Sequence, residues 1–457
     1  MRQLFIKKIV LIMKRALYNQ LVAWKNSPSR KPLILEGARQ VGKTWLMKEF
    51  GKNEYENMVY INCADEEFAK SLFLRNLKPD RILRDIVANT RQRIVAGKTL
   101  IVFDEIQEAP KGITSLKYFC EDAPEQHVIA AGSLLGVVHH PDESYPVGKV
   151  DILRLFPMSF EEFLWAKGYD RLAEILTRCE WDSIETLRDT LEDLLRQYYY
   201  VGGMPEAVLD WITQEDVLNI RQIQSRIIDS YANDISKHAG TESERIRMVW
   251  QSIPSQLAKE NKKFIYGNVK KGARAKDFET AIQWLVDAGL VHKIYRCTTP
   301  EMPLKFYEDF NAFKLFLLDV GLLGALSGAT PAQMIVNNDV FKEFKGAFTE
   351  NYVLQQIIPN RFLFLSYFSK DNSKVEIDFL VQTYARLIPI EVKAEENVKS
   401  KSLKQFITID HAEKNLKGLR CSMKPYIDQG WMENIPLYSI HGYINMQLQK
   451  ERDAIRL

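Results

Sequence analysis

The chain contains no close pair of cysteines. Its five cysteines are spread over 457 residues, at Cys63, Cys120, Cys179, Cys297 and Cys421. This spacing argues against a disulfide framework and against a zinc site, and it suits a reducing cytosol. We therefore expect a cytoplasmic protein.

Long hydrophobic runs, internal repeats and low-complexity tracts are also missing. The most apolar stretch, LFIKKIVLIMKRALY near the N-terminus, is interrupted by Lys7 and Lys8 and is too short to span a bilayer. Integral membrane association is therefore not expected, although a peripheral membrane protein that uses this segment stays open as an alternative. Met13 begins a stretch that reads like a natural start, so we predict that residues 1–12 are an upstream extension.

The net charge is small, and the composition is otherwise ordinary. Apolar residues make up 46% of the chain, charged residues 26%, and the formal net charge is +3. These values indicate a soluble globular protein whose length suggests roughly three domains. Any contact with nucleic acid must come from a local basic patch, because the surface as a whole is not basic.

A glycine-bounded motif, GARQVGKT, follows the short apolar stretch LILE and precedes a helical pattern. Its glycines let the backbone wrap around phosphates, and its N–H groups and the helix N-terminus face the negative charge. Lys43 would reach the β- and γ-phosphates of ATP, and the Thr44 hydroxyl would ligate Mg²⁺. The predicted nucleotide-binding residues are Gly37, Ala38, Arg39, Gln40, Val41, Gly42, Lys43 and Thr44.

An acidic pair ends the apolar stretch LIVFDE. Asp104 would hold Mg²⁺ together with Thr44, and Glu105 would polarise the attacking water. Ser133 ends the next apolar stretch, where it could contact the γ-phosphate or orient the water. The predicted catalytic residues are thus Glu105, Lys43 and Ser133. A serine that merely begins a loop is the alternative for Ser133.

Apolar strands alternate with helices between residues 33 and 133, which predicts a parallel sheet covered on both faces. The segments KPLILEGARQVGKTWLMKEF, LIVFDEIQ, AAGSLLGV, PVGKV, PMSFEEFL and VGGMPEA together resemble a family of prokaryotic AAA-type ATPases. The resemblance covers residues 13–445. It implies a P-loop NTPase sheet with a helical lid, a winged-helix module and a restriction-endonuclease-like α/β domain. The predicted ranges are 13–155 for the ATPase domain, 156–240 for the helical lid, 241–327 for the winged-helix module and 335–457 for the restriction-endonuclease-like domain.

Many AAA-type ATPases complete a neighbour's site with an arginine, so an oligomer is an open expectation. No arginine is assignable to this role. The candidates Arg154, Arg226, Arg245 and Arg247 read as ordinary surface or structural charges, and Gly148-Lys149 stands where some relatives carry Gly-Arg. A lysine lacks the planar fork of arginine, which weakens that position as a candidate.

A basic loop at 259–276 leads into the predicted recognition helix of the winged-helix module. It contains Lys259, Lys262, Lys263, Lys270, Lys271, Arg274 and Lys276, with Glu260 as its one acid. Such a cluster would position DNA through its phosphates without reading sequence. A solvated charged loop, or a protein-docking module, is the alternative.

The tail segment VEIDFLVQTYARLIPIEVK reads as a hairpin with TYAR as its turn. Side chains alternate along a strand, so Glu376 and Asp378 share one face. Asp378, Glu391 and Lys393 match the D…E-x-K pattern of the restriction-endonuclease-like fold, and Glu350 would supply a further acid. In a working site the carboxylates bind Mg²⁺ and the lysine positions water. A solvated charged face is the alternative, and pairing of Lys393 with Glu395 or Glu396 would compete. Lys399, Lys401 and Lys404 could meet a phosphate backbone.

These patterns predict an ATP-hydrolysing enzyme with ATP and Mg²⁺ as cofactors. Nucleotide turnover would move the lid, with the Gly202–Gly203 turn as a flexible point, and would act on a DNA-contacting winged helix and a nuclease-like domain. The alternative is an ATP-dependent regulatory switch whose catalytically inactive C-terminal domain binds DNA or a protein partner.

Overall fold

A computed structural model describes residues 13–65, 67–137, 145–259, 262–330, 342–370, 375–394 and 400–455. These residues divide into two compact units. The N-terminal unit comprises Lys14–Phe156 with Asp287–Leu290, and the C-terminal unit comprises Pro157–Val286 and Val291–Leu457. Because residues 395–399 lie outside the described ranges, so do the sequence hypotheses about Glu395, Glu396 and Lys399. The same holds for Glu260 and for residues 1–12.

The N-terminal unit is built on a parallel sheet, as the sequence predicts. Its strands are β1 (Leu33–Glu36), β2 (Asn57–Asn62), β3 (Thr99–Asp104), β4 (His127–Gly132) and β5 (Asp151–Arg154), in the spatial order β2-β3-β4-β1-β5. Every strand pair in this sheet is parallel. The carboxyl ends of β1, β3 and β4 therefore meet at one edge of the sheet, where ligands bind in open α/β folds.

Helices cover this sheet. They are α1 (Leu17–Lys25), α2 (Lys43–Glu54), α3 (Glu67–Leu72), α4 (Pro79–Thr90) and α5 (Gly112–Asp122). Strands β3 and β4 are buried along their whole length, as expected when both faces of a parallel sheet are covered. Phe103 of β3 packs edge-on against Phe73 and at a tilt against Phe119, with ring centroids 5.3 and 6.3 Å away. These rings help to fix the strand that ends in the acidic pair.

The C-terminal unit begins with helices α6 to α11 and continues with three helices before its first strand. The first group is α6 (Phe160–Ala166), α7 (Asp170–Thr177), α8 (Trp181–Thr186), α9 (Arg188–Val201), α10 (Pro205–Gln214) and α11 (Val217–His238). The second group is α12 (Ser243–Leu257), α13 (Tyr266–Val269) and α14 (Ala275–Asp287). Later helices in the described ranges of this unit are α15 (Val320–Ser327), α16 (Lys342–Ile357), α17 (Lys401–Gln405) and α18 (Ile440–Ile455).

The second sheet joins segments that the sequence assigns to two different modules. Its strands are β6 (Val291–Cys297), β7 (Glu308–Leu317), β8 (Phe364–Ser369), β9 (Glu376–Gln382), β10 (Leu387–Val392), β11 (Gly418–Ser422), β12 (Ile427–Asp428) and β13 (Met432–Pro436). Their order is β12-β13-β11-β10-β9-β8-β6-β7. The antiparallel pair β6–β7 continues into β8 through a parallel pairing. The boundary predicted near residue 330 therefore runs through one continuous sheet.

The Gly202–Gly203 turn is packed tightly, which contradicts the expectation of a flexible point. A Cβ on Gly203 would lie 2.1 Å from the Met158 carbonyl oxygen, and one on Gly202 would lie 2.2 Å from Asp319 Oδ1. The Gly203 N–H donates to Asp319 Oδ2 over 2.6 Å, and the Met158 N–H donates to the Gly203 carbonyl over 2.7 Å. The glycines allow close packing here rather than motion.

Within the described part of the chain, no helix is both long enough and apolar enough to cross a membrane.

Candidate nucleotide-binding site

The phosphate loop connects the end of β1 to the start of α2. Gly37 has φ +153°, and a Cβ there would lie 2.3 Å from the Leu155 carbonyl oxygen. Only glycine permits this approach of the loop to the segment that follows β5. Helix α2 begins at Lys43 directly after Gly42, so its free N–H groups lie at the end of the loop. A loop followed by a helix N-terminus in this way can cradle phosphates.

Lys43 lies inside the loop, with only 5% of its surface exposed. Its Nζ donates to the carbonyl oxygens of Gly37 and Ala38, each over 2.9 Å, and to Ser133 Oγ over 3.0 Å. Burial lowers the pKa of Lys43 to about 8, although the charges of Glu105 and Asp104 oppose this shift. The ammonium group is therefore held inside the loop with little solvation of its own.

Asp104 gathers two hydroxyl donors at the end of β3. Its Oδ2 accepts from Thr44 Oγ1 over 2.6 Å and from the Tyr60 hydroxyl over 2.7 Å. Asp104 is only 2% exposed, so these bonds form away from bulk water. Adjacent carboxylate and hydroxyl oxygens are the ligands that Mg²⁺ prefers, and Thr44 with Asp104 would hold the ion that accompanies a nucleotide.

Glu105 is restrained by two side chains. Its Oε1 accepts from Ser133 Oγ over 3.0 Å, and its Oε2 accepts from Gln107 Nε2 over 2.6 Å. Its backbone has φ +49°, an uncommon conformation for a residue with a side chain. Ser133 thus contacts both Lys43 and Glu105, and these three predicted catalytic residues form one connected group.

The structure brings the predicted residues of the nucleotide site together, and it adds two residues that the sequence does not predict. Lys43, Thr44, Asp104, Glu105 and Ser133 meet at the carboxyl edge of the sheet, and their roles stay predictions. Tyr60 and Gln107 were not foreseen. Tyr60 lies on β2, which pairs with β3 so that Asn62 lies opposite Asp104. No local motif marks it, whereas Gln107 lies two positions after Glu105 and could have been suspected from proximity.

Three family comparisons match successive parts of the chain. Residues 29–164 match an AAA domain. Residues 192–333 and 345–441 each match a domain of unknown function, DUF8612 and DUF4143 respectively. The AAA match of residues 29–164 agrees with the parallel sheet and phosphate loop of the N-terminal unit. The first of the unknown domains spans the predicted boundary between the lid and the winged helix, and no significant match occurs among curated proteins.

Several solved structures have weak similarity to the chain. The Orc1 protein of Aeropyrum pernix in complex with DNA has 13% identity and a TM-score of 0.29, covering 71% of this chain and 92% of that one. Cdc6p of Pyrobaculum aerophilum has 13% identity and a TM-score of 0.24, covering 68% and 91%. The RuvB Holliday junction branch migration motor of Thermotoga maritima has 15% identity and a TM-score of 0.27, covering 64% and 88%. Scores of this size support no statement about activity.

The arginines considered for a trans-acting role have partners within this chain. Arg154 pairs with Glu36 over 2.8 Å, and Lys149 pairs with Glu121 over 2.9 Å. The other candidates behave alike: Arg226 pairs with Glu206, Arg245 pairs with Glu242, and Arg247 donates to Ser236. Each contact is what an ordinary structural or surface charge would make.

The tail hairpin forms where the sequence predicts it. Strands β9 and β10 pair antiparallel around the TYAR turn, with Ile390 opposite Phe379. The Val392 N–H donates to Asp378 Oδ2 over 2.7 Å, and Lys393 Nζ lies 3.2 Å from Glu391 Oε1. Glu391 is buried, and its Oε2 has no hydrogen-bond partner among the described residues. In the hairpin, Asp378 of β9 contacts the backbone of Val392, which lies between Glu391 and Lys393. The three residues of the D…E-x-K pattern are therefore close to one another.

Two lysines from outside the hairpin occupy the neighbourhood of its acids. Lys262 pairs with Glu350 Oε1, and Lys314 of β7 lies 2.6 Å from Glu376 Oε1 and 3.9 Å from Glu350 Oε2. The Lys314 side chain is fully buried, whereas that of Lys262 is 14% exposed. We call Glu350, Glu376, Asp378, Lys262 and Lys314 the acid–lysine cluster. A lysine buried this completely requires paired acids, which the cluster provides.

The charged groups of the acid–lysine cluster shift one another's pKa values. Burial alone would lower the pKa of Lys314, but Glu350, Glu376 and Asp378 outweigh it and raise that pKa. Burial and the Glu350 charge raise the pKa of Asp378 to about 7, against the opposing effect of both lysines. The two lysines thus favour the charged form of Glu350, whereas burial favours the protonated form of Asp378. No group of three or more His, Cys, Asp or Glu side chains in the described ranges is arranged to hold a metal ion.

The basic loop at 259–276 is only partly available to a partner. Lys262 is committed to Glu350, so the structure removes it from the proposed phosphate contacts. The exposed basic residues of this loop are Lys259, Lys270, Lys271, Arg274 and Lys276. Lys401 and Lys404 of α17 are also exposed. A reduced basic surface therefore remains on the C-terminal unit.

Proposed function

We propose that this chain binds ATP and hydrolyses it with Mg²⁺ at the site formed by Lys43, Thr44, Asp104 and Glu105. The observation that carries the proposal is the convergence of a buried, positively charged loop lysine with an acid pair at the carboxyl ends of β1 and β3. Lys43 would neutralise the β- and γ-phosphates. Thr44 and Asp104 would hold Mg²⁺, which neutralises charge developing on the phosphates.

Glu105 is assigned as the general base. It orients a water molecule in line with the γ-phosphorus and takes its proton as the new P–O bond forms and the β–γ bridge bond breaks. Its carboxylate is held by Ser133 and Gln107 before nucleotide binds. Ser133 also contacts Lys43, so a γ-phosphate that draws Lys43 forward would weaken the bond from Ser133 to Glu105.

Two substitutions separate binding from hydrolysis. We expect Lys43→Ala to abolish ATP binding, and Glu105→Gln to retain binding while lowering the hydrolysis rate by about 100-fold or more. Lys52→Ala, on the exposed end of the same helix α2, is the matched control and should leave both unchanged. The measurements are calorimetric ATP binding and phosphate release. Hydrolysis that persists in both Lys43→Ala and Glu105→Gln would refute the assignment.

We further propose that the C-terminal unit acts as a nucleotide-controlled binding module that does not cleave DNA. The acid–lysine cluster supports this choice over the nuclease alternative. Lys262 and Lys314 already supply positive charge to Glu350 and Glu376, which a divalent ion would otherwise provide. Lys314 and Glu350 are buried, and Lys262 and Glu376 are partly buried, so a metal would have to displace the lysines at the cost of leaving ammonium groups unpaired.

The two alternatives predict different results with DNA. A non-cleaving module should bind DNA with an affinity that falls steeply with salt, and the nucleotide-loaded Glu105→Gln variant should differ in affinity from nucleotide-free protein. Lys270→Ala with Lys271→Ala should reduce the salt slope by about two. Plasmid or single-stranded DNA should stay intact with Mg²⁺ or Mn²⁺. Metal-dependent cleavage that is lost in Asp378→Ala and Lys393→Ala but kept in Lys43→Ala would instead establish a nuclease.

A further inference from the structure

Arg15 is a buried arginine that contacts the phosphate loop from outside it. It lies just before α1 and is only 6% exposed. Its Nη1 donates to the Val41 carbonyl oxygen over 2.8 Å, and its Nη2 donates to the Phe156 carbonyl oxygen over 2.5 Å. A guanidinium group is costly to bury unless acceptors satisfy it, so two directed carbonyl contacts indicate a fixed position.

Val41 occupies a critical place in the loop. It lies between Gln40 and Gly42, which have φ +66° and +97°, and its side chain is fully buried. The residues on both sides of Val41 thus have left-handed backbones. For Gln40 this conformation is energetically unfavourable, so contacts from outside the loop are needed to stabilise it. The hydrogen bond from Arg15 ties the Val41 carbonyl to the guanidinium group and so keeps that oxygen from turning towards a phosphate.

Both ends of the loop are attached to the same backbone segment. Gly37, at the start of the loop, packs against the Leu155 carbonyl oxygen. Val41, near its end, is linked through Arg15 to the Phe156 carbonyl oxygen. The Leu155 N–H also donates to the Glu36 carbonyl over 2.8 Å, which fixes this segment to the end of β1. Arg15 thus completes a frame that holds the loop at both of its ends.

We propose that Arg15 is a positioning residue for the phosphates of ATP, acting through the Val41 carbonyl. This inference rests on the proposed ATPase function. Arg15 does not touch the nucleotide in this scheme. It holds the loop in the shape in which the N–H groups around Gly42 are free to bind phosphate. Because the loop contacts substrate and transition state alike, loss of Arg15 should act mainly on KM rather than on kcat.

The test compares Arg15→Met, Arg15→Lys and Arg30→Met. Arg30 belongs to the same unit and also donates to backbone carbonyl oxygens, those of Lys25 and Pro124, away from the loop. We expect Arg15→Met to raise the KM for ATP about tenfold while kcat changes less than about threefold. Arg15→Lys should have an intermediate effect because a lysine lacks the guanidinium fork and cannot bridge both carbonyls in the same way. Arg30→Met should leave KM unchanged.

A second measurement does not depend on catalysis. Hydrogen exchange of loop residues 37–44 in nucleotide-free protein should accelerate in Arg15→Met and stay as in wild type in Arg30→Met. Unchanged KM and unchanged exchange in a folded Arg15→Met protein would overturn the inference, as would equal effects in Arg30→Met. If wild-type protein binds no ATP, the proposed function fails instead, and the exchange result alone decides whether Arg15 shapes the loop.

Discussion

Lys43 is charged in a place where charge is poorly solvated. Burial brings its pKa down to about 8, and the nearby carboxylates of Asp104 and Glu105 prevent a larger fall. Its partners without nucleotide are two carbonyl oxygens and one hydroxyl, all of which are neutral acceptors. A phosphate group would be a much stronger partner, because it carries full negative charge in the same confined space.

Nucleotide binding should therefore be coupled to proton uptake by Lys43. Bound phosphate favours the ammonium form and raises the pKa of Lys43, so ADP affinity should fall above about pH 8, by up to about tenfold per pH unit. Calorimetric titration at about pH 9 in two buffers with different ionisation enthalpies measures the uptake directly. At about pH 7 the lysine is already largely charged, so its contribution to the difference between the two buffers should be small. A buffer-independent enthalpy at the higher pH would contradict this coupling.

Residues fixed by local spacing could be located from the sequence, and residues fixed by packing could not. Lys43 and Thr44 follow from the motif itself, and Asp104 follows from the apolar run that precedes it. Tyr60 contacts Asp104 only because β2 and β3 are neighbours in register. Arg15 reaches the loop from a segment 26 positions away. Neither contact has a sequence signature, since each depends on which elements are adjacent.

The turn between α9 and α10 shows how one side chain can fix an element boundary. Asp319, at the start of α15, accepts from the N–H groups of Gly203 and Leu322 and from Gln355 Nε2. Gly202 has φ +74° and ψ −167°, a region that is essentially restricted to glycine. The turn is thus held by a buried carboxylate that also begins another helix, which explains why small residues are needed there.

Gly202→Ala should destabilise the C-terminal unit strongly. The new Cβ would approach Asp319 Oδ1 to 2.2 Å and would force an alanine into an unfavourable backbone region. We expect a loss of about 3 kcal/mol or more in the free energy of unfolding, seen as a lower thermal midpoint for this unit. Gly168→Ala is the matched control, because Gly168 has φ +81° but nothing within 4 Å of its Cβ position. It should cost only about 1 kcal/mol. Equal effects of the two substitutions would mean that packing against Asp319 is unimportant.

Elements with strong local patterns were predicted well, but their pairing was not. The hairpin of β9 and β10 follows from alternating side chains around a short turn. The helix predicted at residues 275–288 is found at Ala275–Asp287. Pairing of β6 with β8 joins residues about 70 positions apart in the sequence, and it merges two predicted modules into one sheet. Propensity and periodicity describe a segment by itself, so they cannot identify its neighbour in a sheet.

Helices from the beginning and the end of the C-terminal unit's sequence contact each other. His441 at the start of α18 lies 3.1 Å from Glu161 of α6, and Glu161 is only 2% exposed. Gly442 packs so closely on α7 that a Cβ would lie 2.2 Å from the Leu176 carbonyl oxygen. Burial alone would lower the pKa of His441, but the carboxylates of Glu161 and Glu162 outweigh it and raise that pKa. Two helices of the C-terminal unit that are remote in sequence are thus joined through a titratable pair.

This pair should make the stability of the C-terminal unit depend on pH in a defined direction. Because the folded pKa of His441 lies above the unfolded value of about 6.5, its stabilisation is complete below that pH and is lost as pH rises through the folded pKa. The difference in thermal midpoint between wild type and His441→Gln should therefore be largest near about pH 6 and should shrink by about 2–4 °C towards about pH 9.

His411 in the same unit provides a control of opposite sign, since burial lowers its pKa. Its protonation opposes folding, so His411→Gln should gain stability relative to wild type as pH falls below about 6.5. Parallel pH profiles for wild type and His441→Gln would show that the Glu161–His441 contact does not couple protonation to closure of the unit.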